Sequence, residues 1–193
     1  MEKLKIKHRE FEIIEEKSEN SFIGVFKDKK YYINKFLPHT EAGDELCYSV
    51  SRIKTSGIKA PKLFLLDRKN GYVVREYIEG INVMNIIAES DLSEDIYRQL
   101  FLNAYMAKVN RMTLNYEIDK WILKNDELYY VYPHFINYDE EKDLAKRYLR
   151  LWFNTKELVQ FLDKHELSFD KSRLKDEYTT NKEIVLMTVK HYR

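Results

Sequence analysis

The first third of the chain alternates apolar and polar positions at strand period. Between Leu4 and Glu16, Phe11, Ile13 and Ile14 stand among charged residues, which predicts one or two edge strands. Ser18–Ser21 reads as a turn, Phe22–Phe26 as a short strand, Lys27–Lys30 as a polar turn, and Tyr31–Leu37 as another strand, ended by Pro38. The period then changes. Thr40 is placed to cap a helix over Glu41–Thr55, whose Leu46, Val50 and Ile53 recur on one face, and Gly57 stops it. Leu63–Leu66 and the run Gly71–Glu76 return to strand, joined by a hairpin turn at Asp67–Gly71.

Past Gly80 the pattern is mainly helical. Val83–Ala88 predicts a short helix, and Ser90 or Ser93 opens a longer one through about Asn110, with Ile96, Leu100, Ala104, Met106 and Ala107 as its apolar face. Met112–Asp119 reads as irregular, Trp121–Tyr132 as a hairpin turning at Asn125-Asp126, and Pro133–Tyr138 as a loop. Helices are expected over Asp139–Phe153, over Thr155–Lys164, and from Ser172 to about Tyr192. The fold class is therefore α+β, with a β-rich part over residues 1–78 and a helical part with one hairpin over residues 79–193.

Composition narrows the functions. With 193 residues, 44% of them hydrophobic, the chain suits one compact domain or two small lobes. The 33 basic and 32 acidic residues nearly cancel, which argues against non-specific nucleic-acid binding as the main activity. Cys47, the single cysteine, excludes an internal disulfide and any multi-cysteine metal site, and is expected as a small buried hydrophobe. The five histidines are scattered, with no metal-ligand spacing. No apolar run reaches the ~20 residues of a membrane span, and the start Met1-Glu-Lys-Leu-Lys-Ile-Lys-His8 lacks an apolar signal region. No membrane partner and a cytoplasmic location are the expectations. Only five glycines and three prolines are present, which disfavours a glycine-rich phosphate cradle.

The most specific stretch runs Glu45, Gly57-Ile-Lys-Ala-Pro-Lys-Leu-Phe-Leu-Leu-Asp67, then Gly71-Tyr-Val-Val-Arg-Glu-Tyr-Ile-Glu-Gly80. With the element order over about residues 8 to 155, it resembles the protein-kinase-like superfamily. The nearest likeness is to the small RIO-type and archaeal tRNA-modification-associated atypical kinases. An unrelated α+β domain whose strand ends in Glu-Tyr-Ile-Glu-Gly is the alternative. The resemblance implies a two-lobed fold with a small β-rich N-lobe and a reduced helical C-lobe, and ATP as cofactor. It assigns Lys35 to the phosphate-holding lysine, aligned by Glu45 (with Glu41 as competitor), and Glu76, Tyr77 and Ile78 to the nucleotide-binding hinge.

The same resemblance exposes departures. Lys120–Tyr132 matches the stretch between the metal-binding Asn and the metal-binding Asp, so Lys120 and Tyr132 stand at those two positions, and Asn115 stands at the catalytic Asp. Tyrosine is a poor magnesium ligand at neutral pH, lysine puts a cation where magnesium would sit, and asparagine cannot accept a proton. Glu117 and Asp119 remain candidates to replace the lost base. The phosphate-covering loop would fall at Glu15–Ser21, which has three carboxylates and no glycine. Arg75 would stand at the back of the adenine pocket, facing either Glu45 or the outer side of its strand. The reading is a degenerate kinase-like scaffold that binds a protein partner and has lost its magnesium site. An active phosphotransferase with rerouted groups is the alternative. A third is an RNA-associated module using Tyr129–Tyr132 and Lys190–Arg193.

Overall fold

The computed structural model describes residues 2–191. The chain forms two compact units, Met1–Thr55 with Ala60–Glu79, and Ser56–Lys59 with Gly80–Arg193.

The first unit is an antiparallel six-stranded sheet with one helix. Its strands are β1 (Lys3–Ile6), β2 (Arg9–Ser18), β3 (Ser21–Phe26), β4 (Lys29–Lys35), β5 (Leu63–Asp67) and β6 (Tyr72–Glu76). They lie in the order β1-β2-β3-β4-β6-β5. Two successive left-handed residues, Lys27 (φ 50°) and Asp28 (φ 60°), make the tight β3–β4 turn whose twist suits a hairpin. Ile6, Phe11, Tyr31, Ile33, Leu65 and Val74 form one buried cluster. Since Ile6 is on one edge strand and Leu65 on the other, the sheet curls until its edges share a core. Lys7 Nζ reinforces this by donating to Leu66 O at 3.0 Å.

The opposite sheet face carries α1 (Glu41–Thr55). Thr40 Oγ1 accepts from the Gly43 N–H at 3.2 Å, as its position as N-cap requires. Acidic Glu41 and Asp44 begin the helix and basic Arg52 and Lys54 end it, matching its dipole. Leu46 and Val50 pack on Val73, and Cys47 is buried beside them on the helix. Full burial of each such aliphatic side chain contributes about 1.5–3 kcal/mol. Gly71 closes the β5–β6 turn at φ 73°, and a Cβ there would lie 2.0 Å from Phe36 O. Only glycine fits.

The second unit holds α2 (Val83–Glu89) and α3 (Glu94–Val109). Asn82 caps α2 by accepting from Met84 N at 2.9 Å. Ile96, Leu100, Ala104 and Ala107 are buried as the α3 periodicity predicts, while Met106 is only half-buried. Strands β7 (Ile81–Asn82), β9 (Trp121–Lys124) and β10 (Glu127–Tyr130) form a three-stranded sheet in the order β10-β9-β7. Asn125 (φ 50°) and Asp126 (φ 61°) turn the hairpin where the sequence places it. Gly80 is dictated by close approach, for a Cβ would sit 2.4 Å from Leu123 O.

Four expectations are corrected, among them the loop over Pro133–Tyr138, whose middle is strand. Met112–Asp119 is not irregular: β8 (Met112–Leu114) pairs with β11 (Phe135–Asn137), and Ile118–Lys120 is a 3₁₀ turn. The pair joins three-residue strands far apart in sequence, too short to show a period. Asp139–Phe153 is not one helix but three short turns, Glu140–Lys142, Leu144–Tyr148 and Leu149–Trp152. Asp139 accepts from Glu141 N and Asp143 from Leu144 N, so two side chains restart the backbone inside the expected helix. The last helix, α5 (Glu177–His191), begins later than Ser172, which lies in a 3₁₀ turn capped by Asp170. The preceding helix, α4 (Lys156–Lys164), is capped by Thr155 as expected. No helix among the described residues is long and apolar enough to cross a membrane.

Candidate functional site

Two groups of residues carry the candidate chemistry, one in each unit. In the first unit, strand alternation decides which residues face α1. Asn34 lies opposite Val73, on the helix side, and Tyr32 lies opposite Arg75. Lys35 shares the parity of Ile33 and Tyr31, which belong to the other face. The pairing expected between Lys35 and Glu45 therefore does not form: both side chains are exposed, and Glu45 pairs with neither Lys35 nor Arg75. The helix-side position next to Lys35 is taken by Asn34.

Arg75 is buried at 5% exposure on that helix side. Its Nη2 donates to Asn34 Oδ1 at 3.3 Å, and its guanidinium lies 5.6 Å from the centre of the Tyr32 ring. The ring softens the cost of burying a cation. It thus faces neither Glu45 nor the outer side of the strand. Tyr32 itself packs against Tyr77 with ring centres 4.8 Å apart. Burial pushes its hydroxyl pKa well up, against the smaller opposing pull of Arg75 and of the Ile78 backbone hydrogen bond. The Glu76–Ile78 stretch is pinned by its backbone, Glu76 N donating to Lys62 O at 2.8 Å and Tyr77 N to Lys30 O at 3.3 Å. Ile78 is buried, and Lys30 pairs with Glu79 at 3.0 Å. The sequence signal for Tyr32 and Asn34 is the alternation of Tyr31-Tyr32-Ile33-Asn34-Lys35, with Tyr31 and Ile33 as the core pair.

Glu15–Ser21 does not form an open loop. It is the end of β2 and its turn into β3, bulged after Ile13 and after Glu16, with Lys17 paired to Glu15.

In the second unit, Asn115, Glu117, Asp119, Lys120 and Tyr132 come together. Asn115 makes a tight turn: its Oδ1 accepts from Glu117 N at 2.9 Å while its Nδ2 donates to Glu117 Oε2 at 3.0 Å. The Lys120 ammonium bonds Asp119 Oδ2 and lies 3.9 Å from Glu117 Oε2. It also lies 5.5 Å from the Tyr132 ring centre. Asp119 is held from behind, its backbone carbonyl accepting from Asn82 Nδ2 at 2.8 Å. Its Oδ1 is buried and takes no hydrogen bond.

An aromatic frame fixes this cluster. Tyr130 is fully buried; its hydroxyl donates to His134 O at 2.6 Å and accepts from Asn115 N at 3.1 Å. Trp152 Nε1 donates to Tyr116 O at 2.8 Å. Among the tyrosines considered for RNA contact, Tyr130 is thus a core residue. At the C-terminus Lys190 pairs with Glu94 at 2.5 Å, and Tyr192 and Arg193 lie outside the described residues.

Chemically, the second-unit cluster is an internal cation clasped by two carboxylates beneath an aromatic ring. Glu117 and Asp119 are the carboxylates that a cation or a proton could use, and Lys120 already engages both. Among the described residues, no three His, Cys, Asp or Glu side chains gather as a protein-held metal would need. No protein-family model matches the chain, and no curated protein matches its sequence.

Proposed function

We propose that the protein is a degenerate protein-kinase-like scaffold whose metal-handling positions are taken up by internal contacts, and that it acts by binding another protein. The observation that carries this reading is Lys120, clasped by Asp119, 3.9 Å from Glu117 and beside Tyr132. At the positions the resemblance gives to magnesium ligands, the chain supplies its own cation and a phenol. The first unit supports the same reading. Lys35 is on the sheet face away from α1, and Tyr32 packs along the Glu76–Ile78 stretch that a nucleobase would use. The binding role is supported by exposed apolar residues at helical spacing on α3, where Leu102, Tyr105 and Val109 are 55%, 43% and 60% exposed.

Radiolabelled ATP with magnesium, offered with a generic protein acceptor and a panel of small alcohols, tests the proposal. No label transfer is expected. Transfer by the wild type that is lost in Glu117→Gln would favour the second reading, a phosphotransferase with a relocated base. That reading draws on one observation: Glu117, oriented by Asn115, keeps a 36% exposed side chain.

A further inference from the structure

A pocket of about 200 Å³ lies in the second unit between α2, the start of α3 and α5. Its walls are apolar: Ile87, Leu92, Tyr97, Phe153, Leu186 and Met187. Tyr97 and Phe153 are stacked with ring centres 4.8 Å apart, and the Tyr97 hydroxyl donates to Trp152 O at 2.5 Å, which fixes the orientation of this aromatic wall. The α5 wall is more open to solvent. Leu186 lines the pocket yet is 58% exposed, whereas Ile87 opposite is 1% exposed. An apolar occupant would finish burying a side chain that the fold leaves half-covered.

The polar edge has oxygens to spare, and its lysine is already paired. Lys175 Nζ is engaged by both oxygens of Glu183, at 2.7 and 2.9 Å. Asp91 Oδ1 receives Asn154 Nδ2 at 2.7 Å and Arg173 Nη2 at 2.9 Å. Arg173 divides its other donors between Ala88 O and Ile87 O. No donor among the described residues reaches Asp91 Oδ2 or Asn154 Oδ1. Asp91 is held ionised by the Asn154 and Arg173 hydrogen bonds; it and Glu183 lie near the Tyr97 ring, each paired to a cation, Arg173 and Lys175.

We propose that this pocket is a binding site for a small amine with an aryl or branched-alkyl body, the body lying among Ile87, Leu92, Tyr97, Phe153, Leu186 and Met187 and the N–H donors reaching Asp91 Oδ2 and Asn154 Oδ1. The volume sets the size, because an apolar cavity of roughly 150 Å³ accommodates benzene. The unpaired acceptors set the polarity: Asp91, 62% exposed at the mouth, offers a carboxylate oxygen to a charged donor. The site shares no residue with the Lys120 cluster and stands whether or not the kinase-like reading holds.

The Met187 methyl group reports directly on occupancy. The full chain, labelled with ¹³C at its methionine methyls and with Met187 assigned through Met187→Leu, is titrated with benzylamine, toluene and phenylacetate. Benzylamine is expected to move the Met187 signal saturably and to bind about tenfold more tightly than toluene. Asp91→Asn should bring benzylamine down to the toluene level. Leu186→Trp, at an exposed position where folding is safe, should abolish binding of both by filling the mouth. The proposal is overturned if benzylamine produces no saturable shift, if Leu186→Trp leaves the shift intact, or if toluene or phenylacetate binds as tightly as benzylamine.

Discussion

Asn115 and Glu117 hold each other twice, through Glu117 N to Asn115 Oδ1 at 2.9 Å and Asn115 Nδ2 to Glu117 Oε2 at 3.0 Å. The amide is needed for both bonds at once, because it presents a donor and an acceptor on one short side chain. A carboxylate at 115 could accept from the backbone but would face Glu117 as a like charge. Asn115, which the sequence resemblance would set at a catalytic base, is therefore part of a structural turn.

Asn115→Asp should consequently weaken the fold rather than create an enzyme. Two carboxylates at this distance raise each other's pKa, so the penalty, about 1–2 kcal/mol at pH 7, is present when both are ionised. It should fade as pH falls through the raised value and one oxygen takes a proton. Urea denaturation at pH 7 and pH 4.5 checks this; a penalty unchanged at the lower pH would count against the geometry.

Arg75 should tolerate loss of charge better than loss of bulk. It is buried against Tyr32 and bonded to Asn34. Arg75→Ala removes the stem and leaves a cavity, costing about 2–4 kcal/mol. Arg75→Met keeps much of the packing and should cost less than half as much. Equal losses in thermal denaturation would show that the guanidinium, not the packing, matters.

Acid should erode the first unit through Asp67. Burial opposes its ionisation, but the Asn70 side chain and backbone N–H, with Lys7 nearby, outweigh this and hold its pKa below the ordinary value. A depressed folded pKa gives stability that is present above the unfolded value, about 3.9, and is lost as pH falls through the folded one. Asp67→Asn should cost about 1–2 kcal/mol at pH 7. The gap between variant and wild type should narrow below pH 4.

The sequence shows elements where one local signal dominates. Glu41–Thr55 is readable to the residue because Thr40, the acidic first turn and the spacing of Leu46, Val50 and Ile53 all agree. The Asn125-Asp126 turn is equally plain. What is hidden depends on distant partners. The β8–β11 pair has no period of its own, and the broken run from Asp139 to Phe153 looks helical until Asp139 and Asp143 are seen capping separate turns. In the candidate site, the gathering of Asn115, Glu117, Asp119, Lys120 and Tyr132 follows from closeness in sequence and one hairpin. The face occupied by Lys35 does not, for a shift of one residue in a strand reverses every side chain. Residue type alone points to Lys35, whereas Tyr31 and Ile33 bind that parity to the core.

The central proposal is that Lys120, Asp119, Glu117 and Tyr132 form an internal ion cluster at the positions the resemblance gives to a metal–phosphate site. Calorimetric titration of the full chain with ATP, with and without magnesium, tests it most directly. The expected result is no saturable heat at submillimolar nucleotide under either condition. Saturable binding that strengthens with magnesium and is weakened by Glu117→Gln or Asp119→Asn would contradict it.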